Sequence, residues 1–130
     1  MLSILIPTYN YNVFSLVNEL QKQAKETRIE FEILVLDDGS KLFLSENQEI
    51  NSLKNCSFEI LKENIGRSAV RNLLAKKATF DNLLYLDSDT IPVANDFISK
   101  YLLFINDEEK IVYGGITYQK EKPAKSQLLR

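Results

Sequence analysis

Two hydrophobic periods take turns along this chain, and that alternation constrains its fold more than any other feature. Short, mostly apolar runs fall at 2–6 (Leu-Ser-Ile-Leu-Ile), 32–36 (Glu-Ile-Leu-Val-Leu), 57–61, 83–86 (Leu-Leu-Tyr-Leu) and 110–113. Runs of this length and composition predict buried strands. Between them, apolar residues recur every three or four positions, which is the period of a helix with one buried face. Val13, Val17, Leu20 and Ala24 mark a first helix, with Asn12 placed as its N-cap and an end near Thr27. Val70, Leu73, Leu74 and Ala78 mark another over 67–78, and Ile98, Tyr101, Leu102 and Ile105 a last one capped by Asn95 or Asp96. The polar stretch 45–55 reads as a short helix within a loop. Five strands in alternation with three or four helices predict an α/β domain spanning 1–130, a mostly parallel sheet covered by helices on both faces. Such sheets bind ligands at the carboxyl ends of their strands.

Composition narrows the chemistry. The 130 residues contain no histidine, so imidazole bases, Ser-His-Asp and Cys-His nucleophiles and histidine-containing metal sites are excluded. Carboxylates, hydroxyls, basic side chains and an oxygen-bound metal remain. One cysteine, Cys56, fits a reducing compartment, and the N-terminus lacks the basic region of a secretory leader, so a cytoplasmic protein is expected. No apolar run approaches membrane-spanning length, so membrane association would need sequence from a longer form. Sixteen basic and eighteen acidic residues, net charge −2, argue against a broad nucleic-acid footprint. An anionic ligand would need a local basic site.

The polar residues collect where a parallel sheet would put a ligand. Pro7-Thr8-Tyr9-Asn10 follows the first strand, Asp37-Asp38-Gly39-Ser40 the second and Asp87-Ser88-Asp89 the fourth. Each cluster alone is an ordinary turn or cap. Together they crowd acidic and amide groups onto one edge, where a hard divalent cation or a ligand's hydrogen-bond donors would satisfy them. Arg67 and Arg71, four residues apart near the start of the third main helix, share one flank. They are either solvated surface arginines or partners of a nucleotide base or diphosphate on the same edge.

Four segments in order, Ser3–Asn10, Val35–Ser40, Asn64–Asn72 and Leu86–Thr90, resemble the N-terminal half of a family 2 glycosyltransferase. The resemblance implies a Rossmann-like GT-A nucleotide-binding domain that binds a nucleotide-diphosphate sugar. It implies that Pro7, Thr8 and Tyr9 pack on the base and ribose, that Asp38 bonds the base, usually uracil, and that Arg67 or Arg71 lies beside the nucleotide. Asp87, Ser88 and Asp89 would form the Asp-x-Asp motif. Asp87 and Asp89 would address the ribose and a Mn²⁺ or Mg²⁺ on the diphosphate, with Asp89 the more direct ligand. The implied reaction is inverting transfer of a sugar, from UDP by family precedent, to an acceptor hydroxyl on a glycan, lipid or protein.

The family's general base lies well downstream of Asp-x-Asp, in an acceptor-binding part. Only about forty residues follow Asp89, and Asp107-Glu108-Glu109 reads as a solvated turn. The expectation is therefore a C-terminally truncated donor-binding domain, its base beyond Arg130, that is inactive alone. The alternative is a non-catalytic nucleotide-sugar-binding fragment or module. Haloacid-dehalogenase-like phosphatases carry Asp-x-Asp after the first strand, and response-regulator receivers carry their acidic pair there too, so neither fits. No P-loop or dinucleotide fingerprint is present.

Overall fold

The computed structural model describes residues 1–106 and 110–118. Its centre is a four-stranded, wholly parallel sheet of β1 (Leu2–Thr8), β2 (Phe31–Asp37), β3 (Cys56–Ile60) and β4 (Leu83–Tyr85), in the order β3-β2-β1-β4. Helix α1 (Phe14–Glu26) joins β1 to β2. The short α2 (Ser45–Gln48) and a 3-10 turn (Glu49–Ser52) lie between β2 and β3, α3 (Arg67–Lys77) joins β3 to β4, and α4 (Phe97–Leu102) follows β4.

Alternation along β1 and β2 builds two cores from one sheet. Ile4, Ile6, Ile33 and Val35 pack with Val17, Leu20 and Ala24 of α1 and with Ile98 of α4. Leu5 and Leu36 point the other way, onto Val70 and Leu74 of α3. The sheet is thus covered on both faces, as the sequence pattern predicts.

The last part of the chain departs from that pattern. No strand forms at 110–113, and among the described residues the sheet has four strands, not five. Ile111 and Tyr113 are more than nine-tenths exposed. An apolar run becomes a strand only when a neighbour accepts its backbone ladder, and no strand pairs with this one. The last helix stops at Leu102, so Ile105 lies past its end, although Ile105 still packs against the larger core. The acidic turn at 107–109 and the tail 119–130 fall outside the described residues.

One sheet feature opens the site. β1 pairs with β2 along its whole length, but with β4 only over Ser3–Leu5. Ser3 N–H donates to the carbonyl of Asn82, and the Leu5 carbonyl accepts from Leu86 N–H at 3.1 Å, so odd-numbered residues of β1 face β4. Pro7 is next in that series and has no N–H to continue the ladder. The two strands part there. The chain order also reverses between β1 and β4, the position at which open α/β sheets hold their ligands.

Candidate functional site

Three turns and a helix start converge on the carboxyl edge. The β1 turn is fixed first. Asn10 adopts a left-handed backbone (φ 50°), which asparagine tolerates better than most residues, and its N–H donates to Ser40 Oγ at 2.6 Å. Ser40 in turn donates through Oγ and N–H to the buried carboxylate of Asp37, at 2.6 and 2.7 Å. Asn10 Oδ1 accepts the N–H groups of Lys41 and Leu42 at 3.2 and 3.3 Å. The first two turns are therefore one hydrogen-bonded unit, from which Tyr9 projects about half exposed. Thr8 is buried beside it, and Pro7 is half-buried in the sheet.

Asp38 ties this unit to the approach of α3. Its carboxylate, almost wholly buried, accepts the Ile65 N–H at 2.7 Å and the Gly66 N–H at 3.1 Å, and its carbonyl accepts Asn64 Nδ2 at 3.1 Å. Gly39 makes the approach possible. It has φ 75°, and a Cβ there would stand 2.7 Å from the backbone of Glu63 and Asn64. No other residue fits without moving that loop. A carboxylate oxygen can accept a second hydrogen bond, so a role at a base is chemically compatible with this anchoring.

The third cluster shows an asymmetry that sequence alone does not contain. Asp87 is bound by the Arg71 guanidinium and has Arg67 Nη2 3.8 Å from its other oxygen. Arg71 also lies over the Tyr85 ring, 5.8 Å from its centroid, while Tyr85 Oη donates to the Arg71 carbonyl at 2.8 Å. Burial raises the Tyr85 hydroxyl above its ordinary pKa, and the nearby Arg71 charge partly opposes that. Asp89 is exposed and makes no hydrogen bond or ion pair among the described residues. Half-buried Ser88 lies between them, and Thr90 closes the turn, its N–H and Oγ1 both donating to the Asp87 carbonyl.

The structure thus brings Thr8, Tyr9, Asp38, Arg67, Arg71, Asp87, Ser88 and Asp89 to one edge and separates the two carboxylates of Asp-x-Asp into a paired and an unpaired member. Among the described residues no three His, Cys, Asp or Glu side chains could cage a metal ion. Open concavities of about 350 and 250 Å³ lie against β2 and β3, one lined by residues 55–57 and the other by Glu59, Leu74 and Lys77, and neither is lined by the residues named above. Among the described residues, the polar groups named above line this edge as a shelf at the strand ends.

Sequence reasoning passed over Asn47 of α2, whose side chain accepts the Val13 N–H and donates to the Tyr11 carbonyl in the loop after β1. Asn47 falls in the stretch that hydrophobic period leaves ambiguous. Only its burial, invisible in the sequence, distinguishes it from a surface amide.

A parallel α/β sheet with its polar turns at a switch point is the architecture of the GT-A glycosyltransferases. Residues 3–129 match Glycosyl transferase family 2, and the chain belongs to that family. It is 32% identical over 124 residues to an uncharacterized glycosyltransferase, YfnE, of Bacillus subtilis, covering 91% of this chain and 30% of that protein. It superposes on the crystal structure of S. aureus TarS 1-349 with a TM-score of 0.66 and 26% identity, over 91% of this chain and 38% of that one. A mannosyltransferase of Pyrobaculum calidifontis, PcManGT, solved with GDP-Man and Mn²⁺, shares the fold at a TM-score of 0.62 and 18% identity, over 82% of this chain and 32% of that one. The chain spans about a third of the length of these relatives. No helix among the described residues is long and apolar enough to cross a membrane.

Proposed function

We propose that the carboxyl edge binds a nucleotide-diphosphate sugar, UDP-linked by family precedent, and presents it for inverting transfer to an acceptor hydroxyl. One observation supports this reading: the residues that the family resemblance assigns to the nucleotide come from four separate segments that meet at the strand ends near Pro7, with Asp89 unpaired among the described residues. Tyr9 and Thr8 form the wall for base and ribose, with Asp38 behind them. Arg71, fixed by Asp87 and Tyr85, and Arg67 beside it supply positive charge toward the diphosphate. Asp87, neutralised by both arginines, is suited to accepting a ribose hydroxyl and not to binding a cation.

Asp89 fits a divalent ion. It is an exposed hard oxygen donor without a competing cation among the described residues, and Mg²⁺ or Mn²⁺ in nucleotide sites is commonly held by one or two carboxylates together with substrate phosphates. When bound, the ion would neutralise the charge that develops on the departing diphosphate. The transfer breaks the bond from the anomeric carbon to the diphosphate and forms one to the acceptor oxygen, whose proton passes to a general base. By family precedent that base belongs to the acceptor-binding part of such enzymes.

Isothermal titration tests the binding step. UDP is expected to bind with Mn²⁺ present and to lose at least tenfold in affinity with EDTA or on Asp89→Asn. An affinity for UDP indifferent to both would overturn the metal assignment, and no binding of any nucleoside diphosphate would overturn the site.

A further inference from the structure

We propose that Asn47 is the positioning residue of the β1–α1 loop, holding residues 9–13 in the form that receives the nucleotide. The inference rests on the proposed role of Thr8 and Tyr9 and names a residue outside that set. Asn47 is 1% exposed, yet its side chain is polar and both of its polar atoms are bonded. Its Oδ1 accepts the Val13 N–H at 2.9 Å, and its Nδ2 donates to the Tyr11 carbonyl at 2.9 Å. One amide thus clamps two backbone groups two residues apart, from a helix more than thirty positions further along the chain. Neighbouring bonds act in the same sense: Asn12 Nδ2 donates to Glu46 Oε2 at 2.6 Å, and Asn10 is held at both its N–H and its Oδ1 by residues 40–42.

The arrangement matters because of what the loop must do. Tyr9 is half exposed, so its position depends on how the loop that carries it is held. A loop that is ordered before binding does not lose its freedom on binding, so affinity depends on the clamp even though the clamp touches no ligand. An apolar side chain cannot replace the bond to Val13, whose N–H is buried and would lose its acceptor, whereas the Tyr11 carbonyl would keep only the longer bond from Thr8 Oγ1 at 3.5 Å.

Asn51, an exposed residue, provides a control for the bonding pattern. It makes the same paired pattern with one residue of β3, accepting the Phe58 N–H at 2.9 Å and donating to the Phe58 carbonyl at 3.2 Å, away from the shelf. The experiment compares Asn47→Ala, Asn47→Asp and Asn51→Ala for thermal stability, UDP affinity with Mn²⁺, and amide hydrogen exchange. Asn47→Asp keeps the acceptor for Val13 but loses the donor to Tyr11, and it is the informative variant if Asn47→Ala does not fold. The proposal expects both Asn47 variants to lose at least tenfold in UDP affinity and to exchange faster at residues 9–13, while Asn51→Ala changes affinity less than twofold and leaves exchange at 9–13 unaltered. Equal loss of affinity in the Asn47 and Asn51 variants, or unchanged affinity in Asn47→Asp, overturns it. If the unsubstituted chain binds no UDP, the reading of the shelf fails and exchange decides the clamp: faster exchange confined to 9–13 upholds it, and unchanged exchange overturns it.

Discussion

Removing the carboxylate of Asp38 tests whether the shelf is held together from within. In Asp38→Ala the Ile65 and Gly66 N–H groups, now 2.7 and 3.1 Å from that carboxylate, lose their acceptor. A hydrogen bond to a charged group contributes about 1.5–3 kcal/mol, so two would contribute about 3–6 kcal/mol if both ends stayed dry. They do not, because Ile65 is 42% exposed and water reaches the freed loop. The expected loss is therefore at the lower end, about 3 kcal/mol. With a urea dependence of about 1.5–2 kcal/mol per molar for a chain this size, the unfolding midpoint should fall by about 1.5–2 M. Asp38→Asn keeps one acceptor and should fall about half as far. Urea titrations followed by circular dichroism measure both. A midpoint shift below about 0.5 M in Asp38→Ala would refute the anchoring role. A loss of UDP affinity in Asp38→Asn with stability unchanged would assign the side chain to the ligand alone.

Gly39→Ala combines a left-handed backbone with a Cβ 2.7 Å from fixed main chain, and should cost more than the about 1–2 kcal/mol of the backbone conformation alone, read as a lowered urea midpoint. Leu20→Ala, in the fully buried face of α1, should cost about 2–5 kcal/mol in the same assay while leaving the shelf's bonds intact. The Cys56 thiol is pushed up to about 12 by burial, so at pH 8 the folded chain should react with iodoacetamide at least about a hundredfold more slowly than the urea-unfolded chain. The sign follows for stability. The protonated thiol is favoured in the fold, so its contribution is intact below the unfolded thiol's pKa and is lost as pH rises toward about 12, and Cys56→Ser should flatten that alkaline decline.

The alternation of apolar runs and helical stripes determined the α/β class, because the period of burial is a property of the chain itself. Strands 1 to 4 and the helices at 13–27 and 67–78 follow it closely, with ends displaced by a residue or two. Asn12, expected as the N-cap, sits one place ahead of Val13, although its Oδ1 does accept the Phe14 N–H at 3.0 Å. The run at 110–113 has the composition of a strand and is not one, since pairing needs a partner that composition cannot supply. The same limit applies to the site. Sequence order and the rule for parallel sheets were enough to collect the polar turns on one edge. Which carboxylate is held by arginines, that Asp38 anchors the start of α3, and that Asn47 clamps a loop thirty residues away were decided only in three dimensions. Hydrogen bonds and ion pairs depend on distance and direction between groups remote in sequence, and only the packing of helices onto the sheet fixes those.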